Sequence, residues 1–73
     1  MSVPLSSVIV RFFDRGELPA AVRLRRPWGG LAAGTVARWN GADRAFVADG
    51  DPDSRILAAA VRELWGATWE AAA

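Results

Sequence analysis

Several short stretches of apolar residues in this chain each predict a β-strand, and in one of them apolar and polar residues alternate strictly. These stretches are rich in β-branched and aromatic residues and are bounded by turn-forming residues. In one of them, Val22 and Leu24 alternate with Arg23 and Arg25, which is typical of a strand with one buried and one solvated face. The pattern predicts strands at about residues 7–13, 21–26, 35–39 and 44–48.

Glycine-containing dipeptides mark the expected turns. Asn40-Gly41 joins two predicted strands and favours a tight hairpin, because both central positions of a type I′ turn need a positive φ. Pro27 and the Gly29-Gly30 pair end the strand before them. No Gly-Lys-Ser or Gly-Lys-Thr sequence follows these glycines, so they predict a wide hairpin connection rather than a phosphate-binding loop.

The pattern changes to a helical one after Gly50 and predicts a helix over about residues 52–65, or to 70 if the helix continues through Gly66. Asp51 can cap such a helix, and Pro52 suits its first position, where a missing N–H costs nothing. Gly66 either ends the helix as a left-handed cap or interrupts it. Apolar residues at spacings of one, three and four form one stripe: Ile56, Leu57, Ala60, Val61, Leu64 and Trp65.

These elements predict a single small α+β domain spanning residues 1–73. We expect a small antiparallel β-sheet or an SH3-like small barrel, followed by one C-terminal α-helix. An open β-meander completed by another subunit is the alternative. A chain of this length forms a small core, and without cysteine or histidine its remaining source of extra stability is a partner.

The composition excludes most catalytic chemistry. The chain has four tryptophans but no histidine, cysteine or lysine, so it lacks the usual proton shuttle, thiol nucleophile and Schiff-base amine. Asp49, Asp51 and Asp53 alternate as in a calcium loop, but the glycine and the closing glutamate of an EF-hand are missing. We therefore expect no enzyme activity, no metal and no cofactor.

Tryptophan and arginine are the candidate binding residues, because these two residue types dominate protein interfaces. Trp28 and Trp69 are the predicted anchors, although Trp69 could equally fold back on its own sheet. Trp65 is expected in the core. Four arginines are also candidate binding residues: Arg23, Arg25, Arg26 and Arg38. They can offer bidentate contacts to carboxylates of a neighbour. Alternatively, they form the solvated face of a strand, with Trp39 in the core.

Two segments carry a resemblance to a known group of proteins. Residues 21–36 combine an apolar and arginine strand, an Arg-Pro step, glycines and an Ala-Gly-Thr step, and residues 45–50 form an Ala-Phe-Val-Ala-Asp-Gly return. This pattern resembles the short head and head-to-tail proteins of tailed bacteriophages and prophages. The resemblance implies a non-enzymatic virion or assembly component, repeated by symmetry and in contact with neighbouring subunits.

The expected function is therefore that of a non-enzymatic structural or interaction subunit of a larger protein assembly, such as a phage or phage-like virion. One alternative is a nucleic-acid-binding small barrel with an Arg/Trp face, although a net charge of +1 is low for that role. Another is an accessory subunit of a cellular enzyme complex. We expect an intracellular or virion location, with no secretory signal, no membrane partner and a homo- or hetero-oligomeric state.

Overall fold

The protein is an antiparallel β-sheet with one short helix. The structure, a computed structural model, describes residues 15–72, and the strand predicted at about 7–13 lies outside the described residues. The elements are β1 (Ala21–Leu24), β2 (Val36–Asn40), β3 (Ala45–Ala48), β4 (Asp51–Ile56), α1 (Ala58–Glu63) and β5 (Trp69–Ala71). The five strands follow the order β4-β3-β2-β1-β5, and every neighbouring pair is antiparallel. The α+β class is confirmed, but the helix lies between β4 and β5 rather than after the sheet.

Strand β1 confirms the alternation in the sequence. Val22 and Leu24 are fully covered, whereas Arg23 is half-buried on the opposite face. The strand is shorter than the predicted 21–26, although the backbone N–H of Arg25 still donates to the carbonyl of Thr68, the residue before β5. Strand β1 pairs with β2 on one side and with β5 on the other, so it lies inside the sheet.

The β2–β3 hairpin is confirmed, but its turn is not the predicted two-residue type I′ turn. Asn40 pairs with Ala45, so the residues between them form a longer loop. The Oδ1 atom of Asn40 accepts hydrogen bonds from the N–H groups of Ala42 and Asp43, at 3.0 and 3.3 Å. The side chain of Asn40 thus organises the loop as an Asx turn, and the positive φ falls on Arg44, at 51°.

The helix predicted over about 52–65 is wrong in its first half, which forms strand β4. Gly50 has a φ of 82° and reverses the chain directly after β3, so the following residues lie beside that strand. The N–H of Ala48 donates to the hydroxyl of Ser54 at 2.7 Å, where the β3–β4 register is irregular. Pro52 is compatible with this position because β4 is an edge strand of the sheet formed by residues 15–72.

Helix α1 is only six residues long and does not extend to residue 70. It begins without a side-chain cap, so the capping roles predicted for Asp51 and Pro52 are wrong. Gly66 has a φ of 86°, and the chain turns there before β5 begins. No helix among residues 15–72 is long and apolar enough to span a membrane.

The hydrophobic core lies between one face of the sheet and helix α1. It contains two large aromatic side chains, Phe46 and Trp69, both fully covered. The remaining buried members are aliphatic or small: Val22, Leu24, Ala37, Ile56, Ala58 and Val61. Leu18, Trp28, Leu31, Trp39 and Leu64 pack against this cluster and remain partly exposed.

Candidate interaction surface

Trp69, one of the two predicted anchors, is a core residue. Its side chain is 0% exposed, so its indole cannot dock a partner in this fold. The alternative, that Trp69 folds back on its own sheet, is the observed one, because Trp69 pairs with Leu24 of β1. Its indole Nε1 has no hydrogen-bond partner among the described residues, which is costly for a buried N–H donor.

Trp28, the other predicted anchor, is half-buried against Trp69. The two indoles meet edge to face, with ring centroids 5.5 Å apart and planes at 69°. The Gly29-Gly30 pair holds this position, since both glycines have a positive φ and Trp28 exchanges two backbone hydrogen bonds with Leu31. The predicted hairpin connection is thus confirmed, and its tip has the type I′ pattern expected at Asn40-Gly41.

The three arginines around the end of β1 hold the segment that contains β5. Arg23 donates from Nε and Nη2 to the same Glu70 oxygen, both at 2.9 Å. Arg25 lies 3.7 Å from the other Glu70 oxygen and donates to the carbonyl of Gly66. Arg26 donates from Nε to the hydroxyl of Thr68 at 3.1 Å, and Thr68 is fully buried. These side chains therefore stabilise the fold, while the outer parts of Arg25 and Arg26 remain exposed.

Arg38, the fourth predicted arginine, lies on β2, the central strand of the described sheet, and does not contact the segment that contains β5. Its Nε is 3.3 Å from a carboxylate oxygen of Asp49. Both residues line a shallow groove of about 500 Å³ that also includes Trp39, Val47 and Pro52. Trp39 is half-buried and packs edge to face on Phe46, with centroids 5.2 Å apart. We call this surface the β2–β4 groove.

Asp49, Asp51 and Asp53 do not form a metal site. Among residues 15–72, no group of three or more acidic side chains is close enough to hold a metal ion. Asp51 and Asp53 are exposed, and neither has an ion-pair partner among the described residues. The three carboxylates thus give the start of β4 a negative surface.

Trp65 is the exposed indole of this protein, contrary to its predicted place in the core. It is 41% exposed and follows the end of α1. Together with Leu18, Pro19, Glu17 and Arg62 it lines a shallow groove of about 320 Å³. We call this the Trp65 surface.

Sequence reasoning missed Trp65 because the helical stripe included it with the buried residues. Gly66, the next residue, was the available signal: a left-handed glycine changes the chain direction and leaves the residue before it outside the sheet. Leu57, just before α1, is also exposed, at 43%, but it lines neither groove.

No protein-family model matches this chain, and no curated protein or solved structure is detectably similar to it.

Proposed function

We propose that this protein is a non-enzymatic structural or interaction subunit of a larger protein assembly. The observation that supports this most directly is the exposed indole of Trp65 beside Leu18 and Pro19. Tryptophan in an apolar surround is the residue type that most often carries binding energy at protein interfaces. A partner that covers it removes a large apolar area from water.

The small size of the core supports the same proposal. Trp69 and Phe46 are its large fully buried aromatic residues, and several other members are alanines. A core of this kind leaves a thin margin of stability, which a bound neighbour increases by mass action. Contact with a larger partner is therefore useful to the fold as well as to the function.

The arginines favour a protein partner over a nucleic acid. Arg23, Arg25 and Arg26 already donate to Glu70, Gly66 and Thr68 of their own chain. Nucleic-acid binding would need a clear excess of positive charge over the whole chain, whereas the net charge is +1. Nucleic-acid binding is thus the weaker of the two proposals.

The strand order supports an SH3-like small barrel as the finer description of the fold. A meander of β1 to β4, a short helix and a last strand that returns to β1 are the features that favour it. The resemblance of residues 21–36 and 45–50 to short phage head-region proteins is the basis for proposing a phage-like particle. An accessory subunit of a cellular enzyme complex would need the same exposed contact surface, so this alternative is also retained.

The test compares Trp65→Ala with a control variant, Leu57→Ala. The control also removes an exposed apolar side chain, but one that lies outside the two grooves. Tagged wild type, expressed in its native host, is expected to sediment with a high-mass complex. Leu57→Ala is expected to do the same, whereas Trp65→Ala remains in the low-mass fractions. Thermal unfolding of the purified variants checks that both are folded.

Two results would contradict the proposal. One is wild-type protein that sediments only as a 7.8 kDa monomer in the host extract. The other is equal retention of Trp65→Ala and wild type in the complex. Retention on single-stranded DNA that weakens steeply between about 50 and 200 mM salt would instead favour the nucleic-acid alternative.

A further inference from the structure

We propose that the partner of the Trp65 surface is a second copy of this chain, and that copies associate head to tail through two oppositely charged edges of the sheet. In this arrangement Trp65 of one copy enters the β2–β4 groove of the next. The inference rests on the proposed function and adds to it the identity of the partner. Three features of the described residues carry it: a basic edge, an acidic edge and their positions in the sheet.

The basic edge lies at β5, where the exposed indole and the arginines are close together. Arg25 donates to the carbonyl of Gly66, the residue next to Trp65. A backbone bridge joins Trp65 to Trp69, so Trp65 lies beside β5 on the side away from β1. Arg23 and Arg25 contact the carboxylate of Glu70, whereas Arg26 donates to the hydroxyl of Thr68, so three guanidinium groups lie here with one carboxylate. The edge therefore presents an indole flanked by excess positive charge.

The acidic edge lies at β4 and has the complementary properties. Asp49, Asp51 and Asp53 have one guanidinium partner among the described residues, the Arg38 group beside Asp49. Pro52 and Asp49 belong to the lining of the β2–β4 groove, so this groove opens next to the excess negative charge. Its volume of about 500 Å³ and its apolar members are suited to an indole, and Trp39 is one of them.

Among residues 15–72, the two edges belong to the first and last strands of the sheet and are not hydrogen-bonded to each other. Strands β4 and β5 are the two ends of the hydrogen-bonded order, with β3, β2 and β1 between them. The register places both charged regions at the same end of the strands, since Arg23 pairs with Val36 and Ala48 pairs with Asp51. Opposite charges at the two ends of this strand order can meet between two copies in the same orientation.

Such a contact is heterologous, because it joins two different surfaces of identical subunits. Each copy that binds through its basic edge leaves its acidic edge available for another copy, so repetition gives a closed ring or a filament. The charges select the partner and its orientation, and the indole supplies the buried apolar area. We expect association that strengthens at low salt.

A charge-exchange experiment tests the pairing of the two edges. One variant carries Asp51→Arg with Asp53→Arg, and the other carries Arg25→Glu with Arg26→Glu. Each variant alone has two edges of the same sign and is expected to sediment as a monomer at low salt, where wild type forms larger species. An equimolar mixture restores the opposite charges across the contact and is expected to associate again.

The control changes charge elsewhere on the surface. Arg44→Glu reverses an exposed charge in the β2–β3 loop, outside both edges, and this variant is expected to associate as wild type does. Wild-type association is expected to weaken at least about tenfold between about 50 and 500 mM salt, because exposed charges are screened. Thermal unfolding reports whether each variant is folded, since Arg25 and Arg26 also contact β5 and its approach.

Disulfide cross-linking gives a second measurement that does not depend on the arginine variants. The natural chain has no cysteine, so a mixture of an Ala67→Cys copy and an Asp53→Cys copy can form three disulfides: the mixed 67–53 product and the two symmetric products, which gel electrophoresis of differently tagged copies separates. We expect the 67–53 product in a redox buffer and little product between Ala67→Cys and Ala42→Cys, which lies at the opposite end of the β2–β3 hairpin. Equal yields from the two pairs would overturn the proposal.

Failure of this proposal is distinguishable from failure of the proposed function. Purified wild type that stays monomeric at low salt, or a mixture of charge variants that does not associate although both are folded, overturns self-association. If Trp65→Ala still loses the high-mass complex in the host, the partner is a different protein and the interaction role stands.

Discussion

Trp65 and Trp69 lie four residues apart and are joined by a backbone bridge, yet their environments are opposite. Trp69 is 0% exposed beneath the sheet, whereas Trp65 is 41% exposed beside it. Their spacing would place them on one face of a continuous helix. Gly66, with a φ of 86°, interrupts the helix between them. As a result, the indole of Trp69 lies in the core and the indole of Trp65 lies on the surface.

The difference separates a stabilising residue from the proposed binding residue within a single segment. Trp69 packs against Trp28 and completes the core, so its contribution is to folding. Trp65 has only a shallow groove around it and is available for contact with another molecule. Residue type alone would have given both tryptophans the same role.

The largest expected effect is that of Trp69→Ala. Replacing a buried Trp by Ala removes about 3–5 kcal/mol from the free energy of unfolding, which is close to the whole stability of a domain of this size. We therefore expect an unfolded or barely folded chain, measured by urea denaturation and circular dichroism. Trp65→Ala is the matched control and should cost about 1 kcal/mol or less. Equal losses would mean that the two indoles are equally buried.

A smaller effect is expected from Gly30→Ala, which tests how the chain holds Trp28 against Trp69. Gly30 has a φ of 81°, and a Cβ there would have no atom within 4 Å, so the cost is backbone strain alone. That cost is about 1–2 kcal/mol for an L-residue in the left-handed region. Gly41→Ala is the control, because Gly41 does not have a positive φ. Thermal melting of the two variants should differ, and equal melting temperatures would argue against the turn at Gly29-Gly30.

The smallest expected effect is the coupling between Arg23 and Glu70, which fastens β5 to β1. Both side chains are 40% exposed, so a double-mutant cycle to Ala should give about 0.2–1 kcal/mol, reduced by salt. Arg38 and Asp49 are the comparison, since they are 66% and 52% exposed and 3.3 Å apart. We expect a weaker coupling there. A stronger coupling between Arg38 and Asp49 would show that side-chain exposure does not determine the order of these two coupling energies.

The parts of the fold that the sequence predicted are those where a local pattern has one interpretation. The alternation of Val22 and Leu24 with Arg23 specifies which face of β1 is buried. The Gly29-Gly30 pair specifies a reversal, because few other residues accept two successive positive φ angles. The β2–β3 hairpin follows from its flanking strands even though Asn40 acts through its side chain rather than as a type I′ residue.

Strand β4 could not be predicted in the same way, because its sequence has two interpretations. Asp51-Pro52-Asp53-Ser54 suits a helix start, but it also suits a polar edge strand, where proline and charge protect against unwanted pairing. Whether these residues form a helix or a strand depends on their pairing with β3, which is a tertiary contact. The exposure of Trp65 depends on the same choice, since the shortened helix changed which residues face the core.

The pairing of β5 with β1 has a consequence for how the chain matures. Arg23 and Glu70 are separated by 47 positions, so the contact that completes the sheet joins distant parts of the polypeptide. Contacts of this kind slow folding, because a large loop must close before they form. Until Trp69 emerges from the ribosome and reaches β1, Val22 and Leu24 lack their cover. A nascent β1–β4 meander is thus the species most exposed to aggregation or to a chaperone.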